Sequence, residues 1–400
     1  MLIIDRNVLA ERRRLVEADL AENGFDALVL YAQGSSVGSA SKSHGYMSFL
    51  TDWDSYNTPG VLVLAPGKPP VLFVANIFLK YMTEQTWWLD DVRFAAPPVL
   101  AAEVARALEE RCGACRKIAY IGRGETPVPF WEGLRAATGA AEYAEYESRV
   151  DPLRVVKDPV QYSIHYRGAE ICDAMFQELR REIRQGKPVY QLQNAMIRLA
   201  HDSGAEHALV WLTVGPAAEY CHFRREECQR VPQIGDQVLV GIYLLYHGHW
   251  AHALRMGTYG APSPAQQRAF DIVLEMENAG LEALRPGGNL YDVHHAFERV
   301  YRKHFSERDD AGVFRFRAAH GLGHSYEDPI TSAPFPQPYT AHRIEPDAFL
   351  EIRPGMLFEF HPNFFQKGVA GGAVGDMIHV GEHGNEIMTA FPRQSIRWDR

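Results

Sequence analysis

No run of about eighteen apolar residues occurs in this 400-residue chain, so no segment is expected to cross a membrane as a helix. The opening segment, MLIIDRNVLAERRRLVEADL, has helical periodicity and charges every few residues, and it is expected to be neither a signal peptide nor a membrane span. Long runs of like charge are also missing. The net charge of −9 is spread along the chain, which argues against nucleic acid or an anionic membrane surface as the main partner. Cysteine is scarce and odd in number, with five in all. The lone Cys112-Gly-Ala-Cys115 pair lacks the second pair that a four-ligand zinc site needs, so the cysteines suit a reducing cytoplasm better than a disulfide framework. No Gly-rich phosphate loop follows a strand in the first half, which leaves nucleotide binding without support.

What is present is enough chain for two cores, so two domains are expected. Residues 1–150 alternate helix and strand. An amphipathic helix over Val8–Asn23 is stopped by Gly24, strands follow at Ala27–Tyr31, Gly60–Leu64, Val71–Ala75 and Ile118–Ile121, and a helix lies at Val99–Arg111. This is the pattern of an α/β domain. Around Asp151–Pro159, DPLRVVKDP, two Asp-Pro pairs bracket a short basic segment, and the domain boundary is placed there. Residues 151–400 carry a long helix to about Gly186 and others near Val189–Ser203, Pro264–Leu284 and Tyr291–Phe305, separated by antiparallel strand pairs. Helices covering a curved antiparallel sheet make an α+β domain.

The chemistry concentrates near Asp236–Gly257, a predicted hairpin of two buried strands with Tyr246-His247-Gly248-His249 at its turn. The return strand places Trp250, His252 and Leu254 on one face. His247 and His249 are expected to be solvated, as turn residues are. A mid-strand His252 is either a hydrogen-bonded core residue or a ligand or acid/base group.

Several segments carry a resemblance: Asp151–Pro159 with the helix after it, Tyr46–Trp53 (YMSFLTDW), Gly215-Pro216 to His222-Phe223-Arg224, Gly235-Asp236, Ala253-Leu254-Arg255, His320-Gly-Leu-Gly323, Arg353-Pro-Gly to His361-Pro362, and Gly375-Asp376 to Gly384. In this order they resemble the creatinase, prolidase and aminopeptidase P family over nearly the whole chain, which implies a pita-bread catalytic domain. Peptidases of that family hold two divalent metals through two Asp, one His and two Glu, and those positions fall here on Gly241, His252, His320, His361 and Gly375. The bridging carboxylates are gone, so a dinuclear peptidase site is not expected. Three neutral imidazoles, His252, His320 and His361, suit instead one divalent transition metal, iron, zinc or copper, with open coordination positions. The alternative is a metal-free site, as the resemblance to creatinase and ectoine hydrolase allows.

Catalytic roles are assigned to four further residues. By resemblance His222 is the acid/base group, and its near-neutral pKa suits proton transfer. Glu359 lies two residues before His361 on a strand and so on its face, where it orients a ligand, replaces a missing carboxylate or acts as base. Glu327 stands where the peptidases carry a catalytic histidine. Arg255 matches the family arginine that positions substrate or a carboxylate. Asp376, one residue along, is a further candidate for the missing ligand at Gly375.

The expected activity is hydrolysis of a C–N bond in a small molecule, in a pocket between the domains, with His222 protonating the leaving nitrogen. Iron or copper oxygenase, oxidase or lyase chemistry, or a catalytically inactive binding protein, are the alternatives. The resemblance further implies a homodimer.

Overall fold

Asp5 starts the first helix, Arg6–Glu22, by accepting a hydrogen bond from the Asn7 N–H, which satisfies one of the donors a helix leaves open at its N-terminus. In this computed structural model, which describes residues 4–86, 89–217, 227–329 and 351–400, the helix leads into strand β1 (Ala27–Ala32). All six residues of β1 are buried because both faces of its sheet are covered. Leu28 and Leu30 enter one core, and Ala27, Val29 and Tyr31 enter another. That two-sided burial explains an unbroken apolar run where a one-sided strand would alternate. With β2 (Gly60–Leu64), β3 (Val71–Val74), β4 (Val92–Phe94), β5 (Lys117–Ile121) and β6 (Glu142–Glu145) it forms a six-stranded sheet in the order β4-β3-β2-β1-β5-β6. The sheet is mixed: β1 runs parallel to β5 and antiparallel to β2. The first unit comprises residues 1–154 with 324–326. The Asp151-Pro152 pair, read as linker punctuation, lies within a short helix, Glu147–Arg154.

The second unit comprises residues 155–323 and 327–400. Its long helix, Pro159–Glu182, opens on a capping box in which Asp158 accepts from Val160 and Gln161 while the Gln161 side chain reaches back, so both ends of the motif satisfy backbone donors. The helix stops at Glu182, earlier than Gly186, and a single 3-10 turn leads to Gly186 in the left-handed region.

Beside this helix lies a sheet in the order β17-β9-β8-β7, made of β7 (His207–Gly215), β8 (Gln237–Tyr246), β9 (His249–Thr258) and β17 (Ile396–Arg397). A second sheet has the order β11-β12-β15-β16, from β11 (Ala319–Gly321), β12 (Leu357–Phe360), β15 (Asp376–Val380) and β16 (Asn385–Ile387). The third is β10-β13-β14, from β10 (Val313–Phe314), β13 (Asn363–Gln366) and β14 (Ala370–Ala373). A bridge between Leu254 and Gly375 ties β9 to the segment between β14 and β15.

The expected hairpin is β8–β9. His247 (φ 46°) and Gly248 (φ 69°) form its two-residue turn, the pair of left-handed residues that a type I′ turn needs. One expectation fails here. His247 is exposed, but His249 is 1 % exposed. It is the first residue of β9 rather than part of the turn, and it packs edge-on to His165 of the long helix. That helix lies close to β9: a Cβ at Gly168 would stand 2.8 Å from the Ala251 Cβ. Gly168→Val is therefore expected to destabilise the fold by about 1–3 kcal/mol through overpacking, read as a lower urea midpoint. Among the described residues no helix is long and apolar enough to cross a membrane.

Candidate metal centre

Strand register brings the three predicted histidines together. His252 sits in the middle of β9 opposite Tyr243 of β8, and the two rings stack at 4.3 Å between centroids. His320 lies in β11 directly opposite Glu359 of β12. His361 follows β12 and is held by its N–H, which donates to the Ala318 carbonyl at 2.7 Å. The ring centroids of His252 and His320 are 5.7 Å apart, those of His252 and His361 5.6 Å, and those of His320 and His361 5.2 Å.

Glu359 joins them. Its Oε2 is 3.0 Å from His361 Nδ1, 3.4 Å from His252 Nδ1 and 3.7 Å from His320 Nε2. One donor atom from each of the four residues lies within 4.8 Å of every other, and all four residues are buried. Two ligands on opposite sides of one cation span roughly 4 Å, which is comparable.

Burial sets the charges of this cluster. It lowers His252 to about 4 against the pull of Glu359, and it holds His361 well below the usual histidine range, with Arg317 adding to the effect. These imidazoles are therefore neutral, as metal ligands must be. Burial raises the Glu359 carboxyl, opposed by His252. His320 Nδ1 meets the Gly321 carbonyl at 2.8 Å. A carbonyl can only accept, so Nδ1 carries the proton and Nε2 presents its lone pair to the cluster. Both Glu359 oxygens and both His361 ring nitrogens are buried without a hydrogen bond of normal geometry. Four buried polar atoms in that condition are costly in an apolar interior unless a cation completes them. The donor set, three imidazoles and one carboxylate, thus fits one divalent transition metal.

Glu359 reaches the cluster by an unexpected route. A Cβ built on Gly375 would collide with Glu359 Oε1 and would stand 2.9 Å from both Leu254 Cδ1 and the Phe360 carbonyl. The carboxylate therefore occupies the space a side chain at 375 would need. Asp376 does not take that place. It faces the opposite way, paired with Arg255 at 2.7 Å and accepting from the Thr389 hydroxyl.

The remaining predicted residues fall in different places. Arg255 is fully buried and spends all five guanidinium N–H groups on the Phe391, Leu254 and Gly375 carbonyls and the Asp376 carboxylate, which leaves none for a substrate. Glu327 pairs with Arg317. Arg317, three residues before His320, acts through its charge on both His361 and Glu359, and nothing in the sequence singles it out. His222 lies outside the described residues. Cys112 and Cys115 are partly buried free thiols.

A family model described as metallopeptidase family M24 matches residues 164–382, which is more than half of the chain. An uncharacterized hydrolase/peptidase of Sinorhizobium fredii is 24 % identical over 292 residues, 72 % of this chain and 70 % of its own length. An uncharacterized peptidase of Staphylococcus aureus is 29 % identical over 161 residues, and the match spans only 40 % of that relative's length. Among solved structures, an Xaa-Pro dipeptidase from Bacillus anthracis superposes with a TM-score of 0.78 at 18 % identity, covering 97 % of this chain and 99 % of that one. A dipeptidase from Mycobacterium ulcerans gives 0.77 at 20 % identity, covering 98 % of each chain. At these identities the structural likeness establishes the fold.

Proposed function

Since the chain belongs to metallopeptidase family M24, we propose that it is a hydrolase of that family with a mononuclear centre, formed by His252, His320, His361 and Glu359, that cleaves a C–N bond in a small molecule. The observation that carries this reading is the carboxylate count. Among the described residues the cluster contains one carboxylate, Glu359. A pair of cations held close together needs anionic bridges to offset their repulsion.

A bound divalent cation supplies Lewis acidity at the reacting group. The protein orients and insulates the site. His320 is fixed in one tautomer by the Gly321 carbonyl, and all four donor residues are buried. Glu327, held by Arg317, is assigned to proton handling. So is His222, which by resemblance protonates the leaving nitrogen. The same resemblance and the cysteine usage lead us to assign a homodimer in a reducing cytoplasm.

The relatives' names favour a second reading, a peptidase, since the solved structures matched over nearly their whole length include an Xaa-Pro dipeptidase. Metal analysis of protein purified without added metal or chelator, combined with an activity panel, separates the two. The proposal expects about one iron, zinc or copper per chain and turnover of a small amide, urea, amidine or lactam without oxygen consumption. Two metals per chain with release of proline from Xaa-Pro dipeptides would establish the peptidase instead.

A further inference from the structure

The Cys112-Gly-Ala-Cys115 motif plays no part in the proposed chemistry, and it lies in the first unit. Cys112 is the last residue of the helix Pro97–Cys112. Gly113 then takes φ 72° and ψ −136°, a conformation that glycine adopts without a steric cost, and the chain turns back on the helix end. The turn brings the Cys115 thiol to 3.9 Å from the Leu108 carbonyl, while the Cys112 thiol donates to the Asp26 carbonyl at 3.4 Å. Leu108 stands four residues before Cys112 and so on its side of the helix, which returns the Cys115 sulfur to the neighbourhood of Cys112. The two side chains accordingly act on each other. Their mutual hydrogen bond is the leading influence on both, holding Cys112 below the usual thiol range and Cys115 above it.

The far side of the turn is fixed by Asp26. Its carboxylate accepts from the Arg116 and Lys117 N–H groups at 2.6 and 2.9 Å, so Cys115 is held between the helix end and the start of β5. Both cysteines are free thiols, and each is partly exposed. Gly113, Ala114 and Cys115 line a cavity of about 460 Å³ whose other walls include Arg106, Glu109 and Thr138. That volume is in the range of small-molecule sites.

Two other uses of such a pair fit less well. Among the described residues the thiols belong to no group of three or more metal donors, which leaves a metal site short of ligands. A catalyst of disulfide exchange needs a stabilised thiolate, commonly at a helix N-terminus. Here the pair sits at a helix C-terminus, whose dipole disfavours a thiolate, so the pair is suited to changing its own oxidation state rather than that of other proteins.

We propose that Cys112 and Cys115 form a reversible disulfide by exchange with a small soluble disulfide, which makes this turn a redox-modified site of the protein. One protein thiolate attacks a sulfur of the reagent, forming a mixed disulfide and releasing a reagent thiolate that takes up a proton. The second protein thiol loses its proton and displaces the remaining reagent thiolate from the mixed disulfide. Two protein thiols are thereby oxidised, and one small disulfide is reduced to two thiols. The cavity beside Cys115 gives the reagent its approach. None of this depends on the metal centre.

The test equilibrates the full-length protein, without oxygen, in mixtures of reduced and oxidised glutathione, followed by acid quench, alkylation and peptide mass mapping. A Cys112–Cys115 disulfide is expected in the wild type, and a single mixed disulfide in Cys112→Ser and in Cys115→Ser. At about 0.1 mM reduced glutathione the wild-type pair should be half oxidised at about 10-fold less oxidised glutathione than either variant needs, because a thiol tethered this closely acts at millimolar effective concentration or above. At constant oxidised glutathione, the ratio of closed to open pair should fall with the square of reduced glutathione, since closure releases two thiols. That dependence is measured on the wild type alone and decides the matter even where a variant fails to fold. A pair that stays reduced in excess oxidised glutathione, that stops at mixed disulfides, or that follows the first power of reduced glutathione would overturn the proposal.

Discussion

Replacing Arg255 with methionine is expected to lower folding stability by about 3–5 kcal/mol, the range for removing one partner of a buried ion pair. Arg255 and Asp376 are both fully buried and pair at 2.7 Å. Without the guanidinium, Asp376 keeps the Thr389 hydroxyl and a distant contact of 3.7 Å to Arg393. A second buried acid, Glu277, stands beside this pair. Burial and the Asp376 charge hold its carboxyl well above the usual range. Arg255 also donates to the Gly375 and Leu254 carbonyls, which lie on the bridge between β9 and the segment before β15. The loss should therefore reach the metal centre as well as the global stability. Urea denaturation of Arg255→Met, Asp376→Asn and the double variant measures the coupling directly. The double variant should recover part of the loss, since neutralising the acid removes the stranded charge. Single-variant stability within 1 kcal/mol of wild type, on the order of a surface substitution, would show that the pair is not the brace described.

The second large effect concerns the centre. His361→Ala and Glu359→Gln are each expected to weaken divalent metal binding at least about 100-fold, more than the 10- to 100-fold typical of losing a group that only orients a ligand. Their donor atoms are buried and lack hydrogen bonds of normal geometry, so binding a cation relieves a cost that the substitution removes. The linked consequence is a change in thermal response. A ligand present at 100 times its dissociation constant adds about 2.7 kcal/mol to stability, so saturating metal should raise the melting temperature of the wild-type protein and leave that of His361→Ala nearly unchanged. A chelator should do the reverse, destabilising only the wild type. Equal thermal shifts in both proteins would mean that the metal binds elsewhere.

Much of the fold was legible in the sequence, because strands and helices follow local periodicity. The run Val238–Leu245 and the alternation after it define a hairpin, and β8–β9 is that hairpin. The two-residue spacing of Glu359 and His361 likewise put both on one side, as their 3.0 Å approach reflects. The burial of His249 is not legible in the sequence, because a histidine beside a turn is usually solvated and nothing local announces the helix that packs over the start of β9. Arg317 is silent in the sequence, because a lone arginine before a strand gives no signal until Glu327 and His361 are placed around it.

The same division runs through the centre. The order and spacing of His252, His320 and His361, and the glycines at 241 and 375, are properties of the chain itself, and they already exclude two bridging carboxylates from those positions. Three things required tertiary structure. One is that Glu359 reaches the histidines through the space above Gly375. Another is that Asp376 turns away to Arg255. The third is that a side chain at 241 would meet only Leu254 among the described residues, while one at 375 would collide with Glu359. The reason is physical. Which face a residue takes depends on its own strand, a local matter of period two. Which side chains meet depends on the register between strands far apart in sequence, and that is fixed only when the core closes around them.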